Sequence, residues 1–168
     1  GADQPVTPYI KARLRNGSLN VRDFPIPLSE VTGDFAGSPE DWTFEGFRGR
    51  HDATELAWSG RYWSDNAGLP ALELKFDVRN ATCDRVLFGA LPAEWQTVWT
   101  ELNPQGTLRA AGRLDWNPGL PLRLQLDAEL NNGKLALKSF PIPLEDVNAD
   151  VGLNDGVVTI RSLKGRYN

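Results

Sequence analysis

The pentapeptide Phe24-Pro25-Ile26-Pro27-Leu28 occurs a second time in this chain as Phe140-Pro141-Ile142-Pro143-Leu144, at an offset of 116 residues. Two prolines within five residues remove backbone donors that a central strand needs for pairing with its neighbours. The segment is therefore expected to be an extended crossing at the edge or rim of a sheet, and not a central strand.

The similarity between the two regions extends well beyond the pentapeptide. At the same offset, identical residues and residues of the same apolar class align on both sides without a gap. The sequence therefore predicts an internal repeat with residues 12–50 and 128–166 as its copies. The alternative interpretation is two similar hairpins in one globular domain. The identical pairs include Asn16-Gly17 with Asn132-Gly133, Val31 with Val147, Thr43 with Thr159 and Gly49-Arg50 with Gly165-Arg166.

The rest of the pattern is that of an antiparallel β protein. Asn16-Gly17 follows an alternating segment, and its preference for positive φ predicts a tight hairpin turn. Between the two copies, apolar residues alternate with polar ones over 56–62, 72–78, 108–116 and 122–130. A period of two predicts strands that have one apolar face and one wet face. The whole chain is thus expected to form one mainly β domain.

One stretch has helical spacing instead, and it predicts one or two short helices around residues 84–102, within an insert spanning 84–103. Asp84 is a candidate N-cap, and Pro92 suits a first helical turn. The two forms considered are two short helices, or one helix broken near Gly89. The apolar stripe of these helices should cover an open end or face of the sheet, and it consists of Leu91, Trp95, Val98, Trp99 and Leu102.

Composition excludes several functions. The chain has 18 Lys and Arg against 22 Asp and Glu, a net charge of -4, which argues against a nucleic-acid partner. No apolar run is long enough for a transmembrane segment. Cys83 and His51 are the only residues of their types, so neither a disulfide nor a multi-histidine metal site is expected. Without a phosphate-binding loop, a Gly-x-Ser-x-Gly motif or a catalytic triad, the sequence predicts no enzyme and no cofactor.

The densest apolar alternation supplies the candidate binding residues. Alternating leucines suit a slot that accepts hydrocarbon and rejects polar head groups, at about 0.8 kcal/mol per buried CH₂. An ordinary sheet core covered by the helix is the alternative. The opposite face should carry Arg109, Arg113, Arg123, Gln125, Asp127 and Glu129. The candidate lining residues are Leu108, Ala110, Leu114, Trp116, Leu122, Leu124, Leu126, Leu130, Leu135 and Leu137.

The two frames at 14–50 and 130–166 resemble the AsmA-like superfamily, which includes TamB-type proteins and other bacterial relatives of the bridge-like lipid-transfer proteins. In each frame a strand and an Asn-Gly pair precede Phe-Pro-Ile-Pro-Leu-x-x-Val, and the last strand ends in Gly-Arg. The insert at 90–108 is similar to that family's Leu-Pro, Trp and Pro-x-Gly pattern. The resemblance covers most of the chain.

This resemblance implies a curled, twisted antiparallel sheet, or repeating β-groove, whose apolar concave face contacts phospholipid acyl chains. It implies a periplasmic fragment of a longer protein anchored in the bacterial inner membrane. Neighbouring β-groove repeats of that parent would be its partners, and phospholipid transport or outer-membrane biogenesis its role. Two other functions remain open: a structural repeat of a surface protein, or a carbohydrate- or ligand-binding β-sandwich whose aromatic platform would be Trp42, Trp58, Tyr62 and Trp63.

Overall fold

The computed structural model describes residues 7–21, 24–91, 93–139 and 142–167. These residues form strands and two short helices. In chain order the elements are β1 (Ile10–Val21), β2 (Phe24–Ser38), β3 (Asp41–His51), β4 (Thr54–Ser64), β5 (Pro70–Thr82), α1 (Arg85–Ala90), α2 (Ala93–Leu102), β6 (Pro104–Trp116), β7 (Arg123–Leu135), β8 (Leu144–Asn154) and β9 (Val157–Tyr167).

All nine strands belong to one antiparallel sheet, in which the order of the strands is their order along the chain. The described part of β1 pairs only with β2, and that of β9 pairs only with β8, so the sheet is open. The helix α1 follows β5, yet it lies against β2. Contact between elements three strands apart requires the sheet to curl. The expected mainly β fold with a curled antiparallel sheet is confirmed.

The prediction of a hairpin turn at Asn16-Gly17 is wrong, because both residues lie inside the continuous strand β1. Asn16 adopts a φ of 52°, and the pairing with β2 shifts register between Leu14 and Gly17. This is a β-bulge, which needs a residue that tolerates positive φ just as a tight turn does. Asn132 adopts a φ of 47° at the corresponding bulge in β7.

The first pentapeptide copy begins β2, which lies between β1 and β3 and is therefore an interior strand. This differs from the expected rim crossing, although the segment is extended as predicted. Its prolines are tolerated because pairing with β3 begins only at Ser29, so Pro25 and Pro27 face no ladder on that side. In the second copy β8 begins at Leu144, and Phe140 and Pro141 lie outside the described residues.

The predicted helices are present as α1 and α2. The carboxylate of Asp84 accepts a hydrogen bond of 2.9 Å from the Leu87 N–H, which makes Asp84 the N-cap of α1. The two helices are separated at Leu91, two residues after Gly89, while Pro92 lies outside the described residues. The two helices contact each other through the aromatic rings of Phe88 and Trp99, whose centroids are 6.3 Å apart.

The expected burial of the helical stripe is only partial. Leu91, Trp95, Val98, Trp99 and Leu102 are all half-buried. The most buried apolar residues lie in the sheet itself. Leu28, Val31 and Phe47 form one cluster in β2 and β3.

Candidate functional site

One face of the sheet is apolar across its middle strands. Residues paired directly across an antiparallel ladder point to the same face of the sheet. Leu74, Leu114 and Leu124 form one such row across β5, β6 and β7, since Leu114 pairs with both of the others. Phe76 and Leu126 lie in the next row. We call the side of the sheet that carries these rows the apolar face.

The apolar face also continues into the strands on either side. Toward the start of the chain Trp58 pairs with both Phe76 and Phe47. Toward the end, Leu126 pairs with Leu153, which pairs in turn with Val158 of β9. The face therefore crosses the sheet without interruption by a charged row.

Eight of the ten candidate lining residues lie on β6 or β7. Ala110 and Leu135 are buried, whereas Trp116 is 39% exposed. The remaining five strand residues are half-buried: Leu108, Leu114, Leu124, Leu126 and Leu130. No second sheet packs on them in the described part of the chain.

Leu122 and Leu137 are not strand residues, contrary to the expected lining. Leu122 is 49% exposed and precedes β7, which begins only at Arg123, after a turn in which the Leu120 N–H donates to the Asn117 carbonyl. Leu137 follows the end of β7 and is half-buried. The chain leaves the sheet there because the backbone N–H groups of 136 and 138 donate to the carbonyls of 102 and 101 at the end of α2.

The glycines that shape the apolar face are not among the candidate residues predicted from the sequence. A Cβ at Gly112 would lie 2.3 Å from the Gln125 carbonyl oxygen and 2.9 Å from the Phe76 ring. A Cβ at Gly60 would lie 2.7 Å from Leu74. Both glycines stand at apolar positions of their strands, and a glycine inside an alternating strand is the sequence signal for such close approach.

The opposite face of the sheet is charged, as the alternation predicts. Arg113 forms ion pairs with Glu73 at 2.6 Å and with Asp115 at 3.0 Å. The pair with Glu73 links β6 to β5. Arg161 of β9 reaches across β8, with bonds of 2.6 Å to Asp127 and 2.7 Å to Asp150. The other predicted outward residues, Arg109, Arg123, Gln125 and Glu129, are exposed on the same side.

Ion pairing shifts the proton affinities of this charged face. Arg61 donates two hydrogen bonds to Asp41, of 2.8 and 2.6 Å, and these hold the pKa of the Asp41 carboxyl below its ordinary value. The same bonds raise the pKa of Arg61. The Arg61–Asp41 pair keeps both charges on the charged face of the sheet, where water remains available to them.

The four aromatic residues considered for a carbohydrate platform do not share one surface. Trp42 pairs with Tyr62, and Trp58 with Phe47, all on the apolar face. Trp63 pairs with Asp41 on the opposite face, where the Arg61 guanidinium lies 5.2 Å from the centre of its ring. The single sheet also differs from the two-layered sandwich that this alternative required.

Other chemistry-bearing groups are sparse. Within the described ranges no three His, Cys, Asp or Glu side chains are grouped to hold a metal ion. His51 Nδ1 lies 2.9 Å from the Pro27 carbonyl oxygen, at the end of β3. Neither α1 nor α2, the helices of the described segments, has the length or apolarity to cross a membrane.

Comparisons of the chain with protein-family models, curated proteins and solved structures gave no significant match. The AsmA-like resemblance therefore depends on the sequence motifs alone.

Proposed function

We propose that this chain is a non-enzymatic periplasmic domain of an AsmA-like envelope protein that acts in phospholipid transport or outer-membrane biogenesis. The observation that supports the proposal is the apolar face itself. It crosses an open sheet and is covered by no second sheet among the described residues. In this proposal its ligands are phospholipid acyl chains, and the parent protein is anchored in the inner membrane.

The chemistry of the apolar face suits hydrocarbon. Leu114, Leu124 and Leu126 offer no hydrogen-bond donor or acceptor to a polar ligand. Each methylene removed from water there contributes about 0.8 kcal/mol, so an acyl chain gains affinity along its length. A polar head group stays in water, because burying it without partners is costly.

The alternative is that the apolar face is an ordinary core that accepts no ligand. The two accounts differ at neighbouring positions of β7, since Leu124 faces the apolar side and Gln125 the charged side. A photo-cross-linking amino acid placed at either position probes one face only. We expect cross-links to phospholipid from position 124 and none from position 125, measured by mass spectrometry of the purified chain.

A substitution pair tests the same point by affinity. Leu124→Asp places a carboxylate on the apolar face, where loss of water opposes ligand binding. Gln125→Asp adds the same charge one residue away, on the exposed face. Native mass spectrometry should detect co-purified phospholipid with the unmodified chain and with Gln125→Asp, and much less with folded Leu124→Asp. Equal amounts of phospholipid with all three chains would contradict binding at the apolar face and favour the alternative that this face is an ordinary core.

A further inference from the structure

Two regions of the sheet are paired in the same way. Seven β1–β2 residue pairs recur between β7 and β8 when 116 is added to both residue numbers. Six of the seven β2–β3 pairs recur between β8 and β9 in the same way. The bulges recur as well, with positive φ at Asn16 and Asn132 and at Glu30 and Asp146. Strand β9 therefore pairs with β8 in the same register as β3 pairs with β2.

Strands β3 and β9 differ at the edge that faces away from β2 and β8, respectively. β3 pairs with β4, whereas no described strand pairs with the outer edge of β9. The difference appears in matching side chains. Phe47 of β3 is 7% exposed, but Leu163, its counterpart in β9, is 47% exposed. Val157, Ile160 and Tyr167 on the same strand are more than half exposed.

We infer that the outer edge of β9 is a docking site for an extended strand with the residue pattern of β4. The β3–β4 register fixes the expected pairing. Because Phe47 pairs with Trp58 and Arg50 with Glu55, the incoming strand should place a large apolar side chain opposite Leu163 and an acid opposite Arg166. This mode is β-augmentation, in which main-chain hydrogen bonds supply affinity and alternate side chains supply specificity.

Two further observations favour this occupant over a second copy of β9. The strand carries Arg161, Lys164 and Arg166 but no acidic residue, so antiparallel pairing of two β9 edges would bring like charges together. Gly165 occupies the place of Gly49, which pairs with Leu56 in β4. A Cβ at either glycine would lie 3.2 Å from the valine beneath it, Val147 or Val31, so both positions suit a large side chain on the partner strand.

This docking site is argued from the pairing registers, exposure and charges of the strands and does not require the apolar face to bind lipid. It is tested on the full chain with a fluorescent peptide of sequence Thr-Glu-Leu-Ala-Trp-Ser-Gly-Arg-Tyr-Trp-Ser, the sequence of β4. We expect saturable binding by fluorescence anisotropy. Amide exchange should slow in β9 and stay unchanged in β1.

Two N-methylated peptides test whether binding is strand pairing at one edge. Only alternate amides of a strand point toward a given neighbour. Methylating one alternate set should abolish binding, and methylating the other set should leave it intact. Equal behaviour of the two peptides would overturn the inference, as would a chain dimer that excess peptide does not dissociate.

A charge exchange tests the register. Arg166, whose side chain is 80% exposed, is changed to Glu in the chain, and the Glu55 position of the peptide is changed to Lys. Each change alone should weaken binding by up to about five-fold, and together they should restore it. Lys164→Glu is the matched control, because its counterpart Arg48 pairs with Ala57 and not with the acid. Equal restoration at 164 and 166 would contradict the register. Both residues lie on an exposed edge strand, and circular dichroism confirms that each variant is folded.

Discussion

Gly17 and Gly133 occupy the same bulge position in β1 and β7, yet the structure predicts different costs for alanine at each. A Cβ at Gly133 would lie 2.6 Å from the Gln105 carbonyl oxygen on β6, so backbone would have to move. The three atoms nearest to a Cβ at Gly17 all belong to the Leu14 side chain, at 3.0–3.1 Å. The difference arises because β7 has a neighbour on both sides, whereas the described β1 is paired on one side only.

The magnitudes follow from these contacts. Neither Gly17 nor Gly133 has a positive φ, so alanine at each gains about 0.4–1 kcal/mol by restricting the unfolded chain. Rotation of Leu14 relieves the contact at Gly17, and the net change there should lie within about 0.5 kcal/mol of zero. At Gly133 overpacking against backbone costs about 1–3 kcal/mol, so the centres of the two ranges leave a net loss of about 1.3 kcal/mol.

Urea titration followed by tryptophan fluorescence measures both variants. With a denaturant slope of about 2 kcal/mol/M, Gly133→Ala should lower the midpoint by about 0.6 M and Gly17→Ala by less than about 0.3 M. Equal shifts, or a larger shift for Gly17→Ala, would refute the argument that β6 backbone packs on the second bulge but not on the first.

Four further outcomes are expected. Asp84→Ala should destabilise the fold by about 1 kcal/mol and speed amide exchange in α1, because the N-cap bond is lost. Arg61 lowers the pKa of Asp41, so the ionised pair stabilises the fold above the ordinary pKa of 3.8, and this stabilisation is lost as the pH falls below that value. The urea midpoint should therefore decrease less at acidic pH for Asp41→Asn than for the unmodified chain. Burial raises the pKa of Cys83 to about 11, so thiolate-specific reagents should label it slowly at neutral pH and much faster in urea. Trp95→Ala should cost about 1–3 kcal/mol by urea titration, less than a fully buried tryptophan, since Trp95 is half-buried.

The faces of β6 and β7 could be predicted from the sequence because their alternation is nearly perfect. A one-residue slip would place Arg123 and Asp127 on the apolar side, so the register has one acceptable solution. The N-cap of α1 was predictable for a similar reason, since a carboxylate there satisfies helix N–H groups within a few residues. In both cases the decisive interactions are local or repeated many times.

The bulges could not be predicted, because their alternatives use the same chemistry. Asn16-Gly17 satisfies a tight turn or a bulge equally well at the level of backbone dihedrals. Pairing with Val31, a partner distant in sequence, decides between them. The exit of Leu137 from the sheet is likewise set by backbone bonds to the end of α2, which no local pattern encodes.

These unpredicted bulges also give the sheet its shape. Seven of the eight ladders contain a register shift, and only the β4–β5 ladder is regular. Positive φ occurs within these shifts, at Glu30, Gly46, Asn80 and Asn132. A bulge bends its strand and increases the local twist, so repeated bulges curl the sheet. The hydrophobic pattern therefore determines which side chains face inward, while a separate set of polar residues and glycines determines how far the strands bend around them.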